Sequence, residues 1–504
     1  MLKEADPMTK NLDRRQFLRL SAGGAAGALL AACGGQTAQP TQPTAGAGAP
    51  AATNAPAAAA TAAMPVGATA EMPAGATSAP AADVGGLAFK GKAEFWDWAA
   101  KGDARFDAIN QLVGDWQGEH PGITLDYKSF GYDDMQTKLL TAASAGQGPP
   151  FSNVHNFWRP ELERAGLLVP YPDDMFDWDK LISTPFNRNP QTGKIYTSDF
   201  ALYTDQVYFH TPLLEAEGIK PTDIPRTWAD YMKMMQQLTK RDASGKLVQA
   251  GWAFNHYYSQ EWLWATLVYQ GGGWLWSADG TKALWNEDAG VQALQFIQDV
   301  FHKYKVNDPD FLGMFDAWGT RKAATYISQG YTGGGINKDY PDYVGQWGTA
   351  VTPTFSGKPG PAWGLVTPEE GFAVFASAPV DVQQVGFSFI KKMMGSDENR
   401  VKWALISNGP PDNKDLFADP VLKAGDAKKG NSIATQAETL PWRINYGERP
   451  LEAEKIWRSM FDAVILDKTA PKQALDEATD LMNAALKQSG KQRVFTERNY
   501  KPPA

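Results

Sequence analysis

The chain has 504 residues, with 48 Lys and Arg against 56 Asp and Glu and a formal net charge of −8. That length suits two or three domains with ordinary cores, and the acidic balance argues against a sequence-independent nucleic-acid binder, which needs a basic face. A single cysteine excludes internal disulfides, thiolate metal cages and CxxC redox chemistry, whereas 18 Trp, 17 Tyr and 24 Phe exceed what a core alone asks for.

The N-terminus reads as an export signal. Lys3, Lys10, Arg14, Arg15 and Arg19 precede or flank an apolar run from Leu20 to Ala32. The run is shorter than the roughly 20 residues a bilayer span needs, and it fits a signal h-region. Asp13-Arg14-Arg15-Gln16-Phe17-Leu18-Arg19 resembles a twin-arginine export motif, and Leu30-Ala31-Ala32-Cys33-Gly34 a bacterial lipobox. Residues 1–32 are therefore expected to be a signal peptide, with Cys33 the lipidated first residue of the mature chain. A chance Arg pair and a buried free thiol are the plainer alternatives; the place of the only Cys, at the end of the apolar run, favours lipidation. Acyl chains would hold the protein on the outer face of the cytoplasmic membrane, at the cell surface or in a periplasm. Residues 33–86, nearly all Ala, Pro, Thr and Gly with almost no charge, are expected to be a disordered tether.

Strand and helix signals alternate from there. Ala93–Trp96 reads as a strand, and Phe106, Ile109, Leu112, Val113 and Trp116 give a helical pattern. After the His120-Pro121-Gly122 turn, Ile123, Leu125 and Tyr127 alternate as a strand. Met135–Ala145 reads as a helix stopped at Gly146, Val154–Phe157 as a strand and Pro160–Ala165 as a helix. This β-α-β-α-β order predicts an α/β domain with a largely parallel sheet, whose ligands sit beyond the carboxyl ends of the strands. Trp96-Asp97-Trp98 and Asn156-Phe157-Trp158 fall at such ends. A second α/β region follows. Its expected strands are Gln206–Phe209, Gly251–Phe254 and Gly371–Phe375. Its expected helices are one from Thr227 (as N-cap) to Thr239, then Ala289–Tyr304, Val380–Met394, Leu451–Leu466 and Lys472–Lys487.

From about residue 92 to 490 the chain resembles the extracellular solute-binding proteins of ABC importers, family 1, the sugar-binding lipoproteins that include maltose-binding protein. Trp116–Ile123, Leu139–Gly148, Glu161–Pro170, Gly193-Lys194-Ile195-Tyr196 leading to Tyr208-Phe209-His210, Pro225–Asp230 and Val351–Pro359 carry the likeness. Each segment is weak alone; their order along the chain makes the match. The resemblance implies a two-lobed α/β periplasmic-binding-protein-like fold of type II. Each lobe would be a mixed sheet flanked by helices, with the ligand cleft at a multi-crossing hinge. One lobe is expected at 87–203 plus 371–435 and the other at 204–370 plus 436–504. It further implies a monomer that closes on a carbohydrate, with oligosaccharide the expected class, and docks on the permease subunits of the importer. No nucleic acid, cofactor or catalytic group is expected.

A sugar needs flat apolar faces for its C–H side and placed polar groups for its hydroxyls. Trp96, Asp97 and Trp98 follow the first strand, Asn156 and Trp158 the third, and Asp133 the second, where a helix N-cap is the more natural role. Tyr203 and Asp205 stand at the expected first hinge crossing, Trp363 and Glu370 at the second, and Trp442 near the third. Glu261-Trp262-Leu263-Trp264 precedes Gly271-Gly272-Gly273, and Trp262 and Trp264 are the leading stacking candidates. For any single Trp, core packing is the alternative. Gly330-Tyr331-Thr332-Gly333-Gly334-Gly335 departs from the family, which usually has a Trp there. Gly334 would let backbone approach the ligand, or leave the pocket wider.

Other chemistries find little support. Gly357-Lys358 is followed by Pro359, so there is no Walker A motif. The five histidines form no metal pattern, and no G-x-S-x-G elbow occurs. Asp133/Asp134 and Glu369/Glu370 are carboxylate pairs of the kind a surface-anchored glycosidase would use, yet sequence neighbours rarely oppose one another across a bond. The same fold could instead hold a glycerol-phosphate diester or a polyamine.

Overall fold

A computed structural model of the chain describes residues 86–101, 103–200, 202–358, 364–367, 370–445 and 447–489. The signal peptide, Cys33, the tether up to residue 85 and Trp363 lie outside the described residues. Among those described, no helix is long and apolar enough to cross a membrane.

The first part of the chain runs β1 (Gly91–Asp97), α1 (Ala104–Glu119), β2 (Ile123–Ser129), α2 (Tyr132–Ser144), β3 (Phe151–His155), α3 (Arg159–Arg164), β4 (Leu168–Val169) and β5 (Ser198–Asp199). It continues through β6 (Tyr203–His210), α4 (Trp228–Leu238), β7 (Lys240–Arg241), β8 (Leu247–Ala253), α5 (Tyr257–Gln270), α6 (Asp288–His302), α7 (Met314–Gly319), β9 (Ala323–Gln329), β10 (Trp347–Val351) and β11 (Gly364–Thr367). The last part holds β12 (Glu370–Phe375), α8 (Val380–Met394), α9 (Asp397–Ser407), α10 (Pro420–Ala427), α11 (Ser432–Thr439), β13 (Arg443–Ile444), α12 (Leu451–Ile465) and α13 (Pro471–Ser489).

Two mixed sheets result, one per lobe. The first has the order β2-β1-β3-β12-β4, with β5 also on β12; the second has the order β13-β11-β6-β9-β8-β7, with β10 also on β6. The expectation of a largely parallel first sheet is corrected: β1 is parallel to β2 and β3, but β12 runs antiparallel to β3, β4 and β5. The reason lies in the path. Strand β12 arrives from β11 in the other sheet, not from a helical crossover, so nothing imposes the parallel sense. Helix α2 ends as its sequence indicates. Gly146 takes φ +68° while the N–H groups of Gly146 and Gln147 return to Ala143 and Ala142, the pairing of a Schellman stop. Thr227 caps α4 by accepting from the N–H of Asp230 at 3.2 Å.

In the first lobe Phe95 stacks on Tyr127 and Phe151, with Phe389 of α8 tilted against both phenylalanines and Trp116 of α1 edge-on to Phe389. In the second, Trp264, Trp285 and Trp457 meet between α5, α6 and α12. The chain passes between the sheets at β5–β6, at β11–β12, and between α9, which packs on α1, and α11, which packs on β6 and β10.

A buried carboxyl pair ties two of these passages together. Ser183 gives its backbone N–H to Asp412 Oδ1 at 2.6 Å and its hydroxyl to Oδ2, with the carboxyl of Asp199 close by. Ile182 N–H donates to Asp412 O, and Leu202 N–H to Pro410 O. Two buried carboxylates this close repel each other, which favours the protonated form of each. Burial, with Asp199 as a neighbouring anion, raises Asp412 to about 7; burial raises Asp199 to about 6 against its bonds to Asn187 and Ser183. Both values exceed those of an unfolded chain, so the folded state holds protons that the unfolded state releases. The stabilisation is complete below the unfolded Asp range and is lost as pH rises through the two folded values. The melting temperature should therefore fall as pH climbs from about 4 to about 7 and level off above that, and Asp412→Asn should flatten that slope in a pH series of thermal melts.

Candidate functional site

Because β1, β2 and β3 run parallel, the segments that follow them emerge at one edge of the first sheet. Trp98, Tyr132 and Trp158 meet there, with ring centroids 5.9 Å apart for Trp98–Tyr132, 5.4 Å for Trp98–Trp158 and 5.3 Å for Tyr132–Trp158. His155 lies against all three. Its Nδ1 accepts the N–H of Phe157 at 3.1 Å. Burial, helped by the charge of Arg449, lowers its pKa to about 3, so the ring is neutral. Trp158 is buried beneath Trp98 and Tyr132, which are half-buried and keep accessible surface. Trp96 instead packs on Phe130 and donates to Glu94. Asn156 is buried in the same turn as Phe157 and Trp158. Asp133 is in the first turn of α2, whose N-cap is Gly131; its side chain is outside the described residues.

The carboxylates expected to reach for ligand are engaged with arginines. Asp97, on the opposite face of β1 from Trp96 and Trp98, accepts from Arg105 Nη2 at 2.7 Å, Asn153 Nδ2 at 2.8 Å and Tyr127 Oη at 3.0 Å. Arg105 also pairs with Glu370 and lies 5.4 Å from the Trp98 ring centroid. Burial raises the pKa of Glu370, while Arg105 opposes that shift. Asp205 is paired with Arg443 and accepts from Thr352 Oγ1 at 2.9 Å. Glu261 is gripped by Arg449 Nη1 through both oxygens, at 2.7 and 3.0 Å. Arg449 also sits 4.2 Å over the ring of Phe157, and Arg164 pairs with Glu448. The segment before α12 therefore links α5 of the second lobe to the aromatic edge of the first.

On the second lobe Trp262, nearly buried (6% exposed), stacks on Tyr258 (5.9 Å, 25°) and meets the exposed Tyr331 edge-on at 6.4 Å; Tyr331 in turn meets Tyr203 at 5.8 Å. Trp264 does not join them. It is fully buried among Trp285, Trp457 and Phe461, and its Nε1 donates to Gly290 O at 3.3 Å. Two residues apart on a helix point to nearly opposite sides, so Trp262 and Trp264 cannot both face a cleft. Side chains pack closely against part of the glycine run: an added Cβ at Gly330 would meet the Gln436 amide at 2.1 Å, and one at Gly333 would meet Asn408 Nδ2 at 2.5 Å. Gly334 faces backbone oxygens of Tyr331 and Ile406. Trp442 is half-buried and makes no ring contact with either group among the described residues.

Tyr132, Phe157, Tyr258, Tyr331, Arg105 and Arg449 are brought in by the fold and were not singled out from sequence. Only a helical reading of 257–270 would have placed Tyr258 beside Trp262, four residues on.

A family model described as bacterial extracellular solute-binding protein matches residues 99–400, which take in strands of both sheets. The chain belongs to that family. This solute-binding protein is 23% identical over 400 residues to the arabinooligosaccharide-binding protein of Bacillus subtilis (strain 168), covering 73% of this chain and 87% of the relative. In structure it is similar to the maltose/maltodextrin-binding domain MalE from Bdellovibrio bacteriovorus bound to maltotriose, with TM-score 0.65, 17% identity, and 80% of this chain and 100% of that one covered. It is also similar to UgpB from Mycobacterium tuberculosis in complex with glycerophosphocholine, with TM-score 0.66, 15% identity, and the same shares covered. The structural likeness is one of fold: two lobes, each a mixed sheet flanked by helices. The family places this solute-binding protein outside the cytoplasm.

Removing one partner of a buried ion pair strands the other charge, at a cost of roughly 3–5 kcal/mol. Asp205→Ala leaves Arg443, which has no exposed surface, without its carboxylate. The urea midpoint should fall by a corresponding amount with an unchanged m-value.

Proposed function

We propose that this protein binds a carbohydrate at the junction of its two lobes and delivers it unchanged to the membrane permease of an ABC importer. One observation carries the reading. Aromatic rings from both lobes border the junction, while Asp97, Glu370, Asp205 and Glu261 each face an arginine of the chain itself. A phosphodiester asks for an uncommitted cation and a polyamine for uncommitted carboxylates. A neutral polyhydroxylated ligand asks for ring faces and dispersed hydrogen-bonding groups, the character of this edge. The sugar-binding relatives support the choice. The glycerophosphocholine complex of UgpB makes the phosphodiesters the rival ligands to test.

The reading gives the protein no catalytic role and makes it a monomer with lobes at 87–203 plus 371–435 and 204–370 plus 436–504. The twin-arginine motif and the lipobox support export in the folded state and a lipid anchor on Cys33. Mass spectrometry of the membrane fraction would test the anchor by the presence of a diacylglycerol on that residue.

Thermal-shift screening against mono- and oligosaccharides, glycerol phosphodiesters and polyamines tests the ligand. A ligand at a hundred times its Kd adds about 2.7 kcal/mol of stability, so a sugar series should raise the melting temperature without being turned over. A shift with phosphodiesters alone would replace the carbohydrate reading. Trp98→Ala and Trp262→Ala should each weaken sugar binding about ten-fold, or about 1.4 kcal/mol, by calorimetry. Trp264→Ala should act on stability, lowering it by roughly 3–5 kcal/mol.

A further inference from the structure

The aromatic edge of the second lobe does not stop at Trp262. Tyr258, stacked on Trp262, meets His256 at 5.7 Å between ring centroids, and His256 meets Phe315 of α7 edge-on at 5.1 Å. The series thus leaves the lobe junction and comes out at the surface. Phe315 is 43% exposed and Leu312 beside it 37%. Arg458 backs the tyrosines, 5.6 Å over Tyr258, and is held there by Glu454.

The chemistry of His256 gives this patch a polar group. Its Nδ1 is 3.2 Å from Ser259 Oγ, and that hydroxyl lies 3.2 Å from Met314 Sδ, which can only accept. Ser259 Oγ thus ties the imidazole to Met314 at the start of α7. Nε2 has no protein partner among the described residues. Burial, with Arg458 as a lesser cause, lowers the pKa of His256 to about 4 and keeps the ring neutral. An exposed phenyl face beside a neutral imidazole nitrogen matches a sugar residue, apolar on its C–H face and rich in hydroxyls that donate and accept.

We infer that Phe315 and His256 form an outer subsite of the binding site, which takes a further residue of an oligosaccharide whose first residues lie at Trp262. Phe315 stacks on that residue and His256 Nε2 hydrogen-bonds one of its hydroxyls. The ligand is then a chain that protrudes from between the lobes. This inference rests on the carbohydrate reading above.

Calorimetry with malto- and arabino-oligosaccharides, from the monosaccharide to the hexamer, tests it on the wild type, Phe315→Ala and His256→Ala. Wild-type affinity should rise with chain length. Each variant should lose about ten-fold for the longer members and nothing for the shortest, with Phe315→Ala keeping the wild-type melting temperature. A loss equal at every length, no loss at any length, or a wild type that prefers the monosaccharide would overturn the subsite and leave the carbohydrate reading in place. A wild type that binds no glycan would remove both. If His256→Ala fails to fold, Phe315→Ala, altered only at the surface, still decides.

Discussion

A buried charge must meet its opposite, and in this molecule it does so across long stretches of chain. Arg443 reaches back 238 residues to Asp205, Arg105 forward 265 to Glu370, and Arg449 back 188 to Glu261. Each pair joins a segment that enters or leaves a lobe to the body of the fold. With one partner missing, the other would be stranded in a low-dielectric interior, so the pairs hold the crossings of the chain in register. The aromatic edges of the two lobes are placed by the same means. Arg105 lies under Trp98, and Arg449 covers Phe157 while gripping the residue next to Trp262.

That arrangement leaves the lobe junction electrically quiet. Carboxylates that look like ligand groups when read along the sequence are occupied by arginines of the protein itself. The histidines fit the same scheme. His155 and His256 are both kept neutral by burial, and neutral imidazoles add polar contacts without adding charge.

Much of this was legible in the sequence. Strand β1, helices α1 and α8, and the final pair α12 and α13 showed their periodicity, Thr227 showed its capping role, and the family likeness gave the two-lobed fold. Helix α5 did not show itself, because it is apolar on nearly every side: residues 261–269 are all buried, so no polar face marks its period. Strand β9 was missed for the same reason, with every residue buried and nothing to alternate. The error at Trp264 follows from the missing helix, since only its turn separates that ring from Trp262. The antiparallel sense of β12 and the partners of the glycine run depend on segments far apart in sequence, where local pattern carries no information.

The position of β12 bears on how the protein is made. It lies between β3 and β4 in the first sheet, yet it is synthesised some two hundred residues after either. Until it arrives, β3 keeps a bare edge of unpaired amides, and the partly made lobe resembles an open template for strand addition. The lobe that begins the chain cannot be the lobe that folds first on its own. Such non-local pairing slows folding and prolongs exposure of that edge, so the first lobe is completed only after most of the chain has been made.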